Sequence, residues 1–293
     1  MDRCALEFRI DDLREPPRRD SMLALLASVF GNDDVTIFAD SGRWDASFRS
    51  IGYWHDDRCV ANVGVFDMPL IVDGHEVRSC GVQAVATDPA FRRRGLFKSL
   101  MREAVRHIDS RCELSLLFTA NPALYERFGY RIVCDDVFLY RRRLPPSVAP
   151  CVARPLSINS RVDIALLEAR RRTAAPISRQ FAPSPRGAMF WYNELRHGLR
   201  RVYDLPTLDA LAVFDHDGGR LRLLDMLADR LPSLDDLIDA TGSQASVVEL
   251  WFSPDQFDAV CEVVPRRDGD FLMARGPLAI EGRPFAFPPP AYF

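Results

Sequence analysis

Between Gly81 and Ile108 the hydrophobic period of the chain changes from two to about 3.6 residues, and the change falls across one basic turn. Val82, Ala84 and Ala86 alternate with Gln83 and Thr87, while Val85 breaks the alternation as in a strand covered on both faces. Pro89 stops that strand. Leu96, Leu100, Met101, Ala104, Val105 and Ile108 then recur on one face of a helix. The turn between them carries Arg92, Arg93, Arg94 and Gly95. A helix start leaves backbone N–H groups unpaired and bears roughly half a positive charge, so a glycine-bearing turn flanked by arginines suits a phosphate or pyrophosphate. Taken alone, three arginines at a helix start are as readily solvated surface. The stretch does fix a strand, turn and helix unit, and with it an α/β fold class.

The rest of the composition narrows the partners. At 293 residues the chain has room for two domains, and 47% hydrophobic with 27% charged residues describes a globular protein. A net charge of -3 supplies no global field for nucleic acid, so no nucleic-acid partner is expected and any anion site must be local. Lys98 is the single lysine, which points to a coding bias toward arginine. Seven scattered cysteines without a C-x-x-C pair argue against zinc or a disulfide framework, and no metal site is expected. No run approaches 18 apolar residues and no leader-like run follows Met1, so the expectation is a cytoplasmic protein without a membrane partner. Self-association is left open.

In chain order the pattern reads as a first strand over 4–10, a helix over 21–30, a short helical piece over 44–51, and strands over 51–55, 58–68 and 76–87. Asp73-Gly74 supplies a hairpin turn. After the 96–108 helix come a buried strand over 113–119, a short helix in NPALYERFGY (121–130), and a strand over 131–141 that should complete the unit. Prolines between Leu144 and Pro150 suggest a linker. Beyond it, helices over 159–172 and 184–197, a hairpin of 210–215 with 220–228, a helix over 231–241, a strand over 247–252, a short helix from Ser253 and a last strand over 270–274 repeat the first order. A second, degenerate copy follows from this, with units at 1–145 and 152–293. Its strand-to-helix loop, Ala228 to Ser233, lacks glycine and is flanked by Asp229 and Asp235, which would repel a pyrophosphate.

The turn after Pro89 resembles the acyl-CoA signature of the GNAT superfamily of N-acyltransferases, Q/R-x-x-G-x-G/A, as Arg92-x-x-Gly95-x-Phe97, with Phe97 where a small residue is usual. Tyr125, followed by Phe128-Gly129-Tyr130, is similar to the tyrosine motif of the same superfamily. The tandem arrangement resembles the first two domains of the enhanced-intracellular-survival acetyltransferases. The resemblance implies tandem GNAT-like folds, each a mostly antiparallel sheet with a splayed strand pair, flanked by helices. It implies acetyl-CoA as cosubstrate, its pantetheine arm along Val85, Ala86 and Thr87, and its pyrophosphate on the turn from Arg92 through Gly95 and Leu96 to Phe97. It also implies Tyr125 as general acid toward the leaving thiolate, since a phenol is normally protonated at neutral pH. Asn121 either orients the cofactor or caps the helix opened by Pro122, with capping the simpler role.

The acceptor expected is a small-molecule or peptide amine. Asp33, Asp34, Asp40 and Asp45 would suit a cation, although acidic loop residues are more often solvated. No glutamate lies within 81–87 to act as base, which leaves Glu76, His75, Asp67, a chain-terminal carboxylate or water. A non-catalytic acyl-CoA sensor or scaffold is the alternative reading, and nucleic-acid binding through Arg92–Arg94 and Arg141–Arg143 is the weakest, because no aromatics interleave those clusters.

Overall fold

Two seven-stranded mixed sheets organise the chain. The computed structural model describes residues 5–31, 35–142, 153–217, 219–267 and 269–293. The first sheet runs in the order Glu7–Asp11, Arg49–His55, Arg58–Asp67, Ser79–Thr87, Leu114–Thr119, Phe271–Arg275 and Arg131–Ile132. The helix Leu96–Asp109 covers one face through Leu100, Met101, Ala104 and Ile108, all fully buried. The helix Pro16–Phe30 covers the other face through Met22, Leu23, Leu25 and Leu26. Its entry is set by prolines at its first two positions, whose missing N–H groups cost nothing there, and Gly31 closes it in the left-handed conformation.

The second sheet repeats the layout with Arg154–Pro155, Val202–Leu205, Ala210–Asp217, Arg220–Ala228, Val247–Leu250, Asp136–Arg141 and Cys261–Pro265. In each sheet one long strand pairs in parallel with the strand that follows a helix: Ser79–Thr87 with Leu114–Thr119, and Arg220–Ala228 with Val247–Leu250. A three-stranded sheet of Phe181–Pro183, Leu70–Val72 and His75–Val77 bridges the two.

The expected strand over 131–141 does not complete the first sheet. It breaks into Arg131–Ile132, which stays, and Asp136–Arg141, which enters the second sheet between Val247–Leu250 and Cys261–Pro265. The break falls at Asp135, whose buried carboxylate lies 2.9 Å from Arg266 Nε. In return Phe271–Arg275, read as the last strand of the second copy, pairs with Leu114–Thr119 in the first. Leu272, Met273 and Ala274 are each at most 1% exposed there, and Val137, Phe138 and Tyr140 are buried in the other core. At roughly 2 kcal/mol per large apolar side chain, this exchange ties the halves together by several kcal/mol.

Other expectations shift locally. Residues 44–47 form a loop rather than helix, because Asp45 Oδ1 accepts from Ser47 N and Ser47 Oγ and holds a turn; the helix lies earlier, at Val35–Asp40. His75–Val77 leaves the main sheet, and the segment after Ser253 is irregular. The proline-rich stretch 144–150, Cys4, Asp33, Asp34 and Arg143 lie outside the described residues.

Candidate active site

Parallel pairing of Ser79–Thr87 with Leu114–Thr119 stops at Val82 opposite Leu117. Beyond that pair the two strands have no mutual register, so a wedge opens between residues 83–87 and the end of the neighbouring strand. The cause lies on the other side of the strand. Opposite Arg58–Asp67 the register jumps between Asn62 and Gly64, a bulge in which Ala84 takes a φ of 53°. Asn62, 1% exposed, pins it: its Nδ2 donates to Ala84 O at 2.8 Å, and its Oδ1 accepts from Ser50 Oγ at 2.6 Å. A buried amide with both ends satisfied makes the bulge a fixed feature.

At the end of the same strand Asp88 caps a short turn through Ala90 N, 2.8 Å away, and is neutralised by Arg58. Arg92 Nε donates to Thr87 O at 3.2 Å, and the Arg94 guanidinium lies 4.8 Å from the Phe91 ring centre. None of Arg92, Arg93 and Arg94 pairs with a carboxylate among the described residues, and all three are exposed. Gly95 has a φ of 77°, and a Cβ there would meet nothing within 4 Å, so the turn is open to solvent. The amides of residues 93–98 have no backbone acceptor among the described residues, while Ser99 N returns to Gly95 O. Free amides, an open turn and unpaired guanidinium groups together fit an anion.

Phe97 does not obstruct this turn. Its ring packs edge-on against Tyr125 and Phe128, with centroids 5.7 and 5.9 Å away. Tyr125 is 7% exposed and hydrogen-bonds the side chain of Thr119, the last residue of the strand across the wedge. Burial pushes its phenol up to about 12, only partly offset by that hydrogen bond. Asn121 stands at the start of the next turn, yet its side chain makes no capping bond, so the expected cap is supplied by its carbonyl to Leu124 N at 3.3 Å instead.

A cavity of about 360 Å³ lies against Gln83 and Ala84. The first half contributes Phe38, Trp44, Phe48 and Asp45 to its wall, and the second contributes Met189, Tyr192, Asp270 and Phe293. Asp270 directly precedes the exchanged strand, and its charge adds to the rise at Tyr125. Phe293 is carried in by the segment after Pro288, whose Pro290 and Tyr292 carbonyls accept from Asn193 Nδ2. Along the last stretch of the chain Phe285, Phe287 and Phe293 pack with Phe66, Phe118 and Phe181 in the core of the first sheet.

The sequence matches the family model for an acetyltransferase (GNAT) domain over residues 15–133. Residues 15–133 are a GNAT domain. An uncharacterized N-acetyltransferase of Streptomyces coelicolor is 35% identical over 122 residues, a match spanning 38% of this chain but only 29% of that relative. In fold, a probable N-acyltransferase from Enterococcus faecalis superposes with a TM-score of 0.60 at 13% identity, covering 93% of this chain and 73% of the other. Eis1 of Mycobacterium abscessus gives 0.57 at 16% identity, covering 92% and 73%.

Within the GNAT domain the residues singled out in the sequence are brought together at the wedge: Val85, Ala86 and Thr87 on its free strand edge, Arg92 to Phe97 at its end, and Tyr125 and Asn121 across it. Three of the base candidates are not. Glu76 and His75 lie in the bridging sheet, and Asp67, opposite Cys80 at the closed end of the strand pair, binds Arg111 at 2.6 Å. None of the three lines the cavity, whereas Phe293, which carries the chain-terminal carboxylate weighed with them, does. Asp45 does, whereas Asp40 does not. Asp270, Tyr192 and Met189 were not foreseen: Asp270 comes in with the exchanged strand, and Met189 and Tyr192 with the helix Met189–Arg196.

Proposed function

We propose that the chain is an acetyl-CoA-dependent N-acetyltransferase whose donor site lies wholly in the first unit, residues 1–145, and whose acceptor is a primary amine. The observation that carries this reading is the wedge: a fixed bulge, a cation-flanked turn with free amides and a buried phenol share one opening.

The residues fit the donor. Acetyl-CoA brings the acyl group as a thioester, with a pyrophosphate for the turn and an amide-bearing arm for the strand edge. The turn amides and Arg92 to Arg94 bind the pyrophosphate, and the unpaired edge at Val85 to Thr87 binds the arm as a strand would. The Val85 N–H polarises the carbonyl as the amine nitrogen bonds to its carbon and the carbon–sulfur bond breaks. Tyr125 keeps its proton at neutral pH and gives it to the departing sulfur. With no side-chain base in the bulge, water carries off the proton lost by the amine.

The second unit, residues 152–293, supports the assignment to the first by contrast. Its own wedge opens past Leu223 opposite Leu250, but Ala175 N donates to Ala228 O at 2.9 Å, and Asp255 accepts from Arg179 N and Gln180 N at 2.9 and 3.0 Å. The segment 175–180 thus closes the opening that a donor would need. Of the second arginine cluster, Arg142 is buried against Asp239.

Thiol release measured with acetyl-CoA and a panel of amines tests the reading. Tyr125→Phe should lower the turnover roughly a hundredfold with coenzyme A affinity unchanged. Binding without amine-dependent thiol release in the wild type would instead make the chain a sensor.

A further inference from the structure

The cavity beside the bulge carries information about the acceptor that the donor site does not. Its walls are aromatic and aliphatic, with polar groups from Gln83, Tyr192, Trp44 and the two carboxylates Asp45 and Asp270. No arginine or lysine lines it. Asp45 uses Oδ1 for Ser47, at 2.7 and 2.8 Å, and Oδ2 has no partner among the described residues. Arg266 lies close to Asp270 in sequence but does not neutralise its carboxylate. Arg266 Nη2 donates to the Asp270 backbone carbonyl at 3.1 Å, and its Nε faces Asp135 at 2.9 Å. Two carboxylates without a cationic partner among the described residues, Asp45 and the exposed Asp270, therefore line a space otherwise walled by rings such as Phe38, Trp44, Tyr192 and Phe293.

Such a site discriminates among amines by physics rather than by shape alone. One ammonium is welcomed by a carboxylate and by ring faces, whose quadrupoles attract cations. A charge beyond the two that the carboxylates can pair, or a shell of hydroxyl groups, would be stripped of water against apolar walls with nothing to replace it. A volume of about 360 Å³ also sits near the lower end for small-molecule sites.

Resting on the acetyltransferase reading above, we propose that the acceptor is an amine of low charge on an apolar, ring-sized body, bound with its ammonium at Asp270. Because Asp270, Met189, Tyr192 and Phe293 all come from the second half, that half completes the acceptor site of the first. This gives the copy that lacks a donor turn a direct part in the reaction.

Calorimetry on the full chain saturated with coenzyme A tests this without relying on turnover. Phenethylamine should bind, Asp270→Asn should weaken it about tenfold or more, and the neutral isostere 2-phenylethanol should bind both proteins alike. In thiol-release assays phenethylamine should exceed spermidine and kanamycin in kcat/KM by at least about tenfold. Coenzyme A affinity equal to wild type shows that Asp270→Asn is folded. Preference for spermidine or kanamycin, no binding of phenethylamine, or indifference of its binding to Asp270→Asn overturns the proposal while leaving acetyl transfer itself intact. Charge-dependent binding of phenethylamine with no thiol released from any amine has the opposite meaning: the acceptor assignment stands and the acetyltransferase reading falls.

Discussion

The two halves open the same kind of wedge and treat it in opposite ways. In the first, the parallel pair ends at Val82 and Leu117, and the strand edge beyond is left free beside a glycine turn with unpaired amides. In the second, the pair ends at Leu223 and Leu250, the register jumps between Val213 and Phe214, and residues 175–180 bridge the gap. Where the first half places Ala84 in the bulge, the second places Asp225 just past its own. Burial pushes the Asp225 carboxyl up to about 7, and the Arg171 guanidinium, itself buried, opposes this only in part. A splayed strand pair is thus left open in one half and filled by the chain itself in the other, and the local residues decide which.

The largest effect expected from breaking this contrast is at Gly95. Gly95→Val forces a β-branched residue to a φ of 77° and crowds the open turn. Acetyl-CoA affinity should fall at least about thirtyfold by calorimetry, with the thermal midpoint lowered only by the roughly 1–2 kcal/mol of backbone strain.

A smaller effect is expected from Asp225→Asn, which removes a carboxyl that the folded state prefers neutral. Its pKa is raised on folding from an ordinary value near 4 to about 7, so its contribution is present below pH 4 and is lost as pH rises toward 7. Asp225→Asn should therefore stabilise the protein at pH 7 to 8 by on the order of 2 kcal/mol, and the gain should vanish in acid unfolding below pH 4.

Smaller again is Asp255→Ala. It deletes the acceptor for two backbone amides and for Ser178 Oγ at an exposed site, and should cost about 1 kcal/mol in denaturant unfolding. It should not create a second donor site, because Ile177, 5% exposed and packed in the second core, still anchors the segment.

Much of the first half was legible in the sequence because its signals are local. The change of period at residues 81–108, the arginine and glycine turn and the spacing to Tyr125 each lie within a few residues of what they specify, and the structure brings those residues to one opening. What could not be read is non-local. The run from Arg131 to Arg141 looks like one strand, since nothing in its own pattern says that Asp135 will be buried beside Arg266 and send its second part into another sheet. Asp270 reads only as the start of the second copy's last strand for the same reason. It reaches the cavity only because Phe271–Arg275 pairs with Leu114–Thr119, 150 or so residues earlier. Phe97 shows the reverse limit: residue type suggested a crowded turn, whereas its rotamer sends the ring toward Tyr125.

Titration of the chain with acetyl-CoA in a calorimeter most directly tests whether one wedge receives a donor and the other is filled. The expected result is one molecule bound per chain, with binding lost in Gly95→Val and kept in Asp255→Ala. Two molecules per chain, or one that survives Gly95→Val, would contradict the assignment of the donor to the first half.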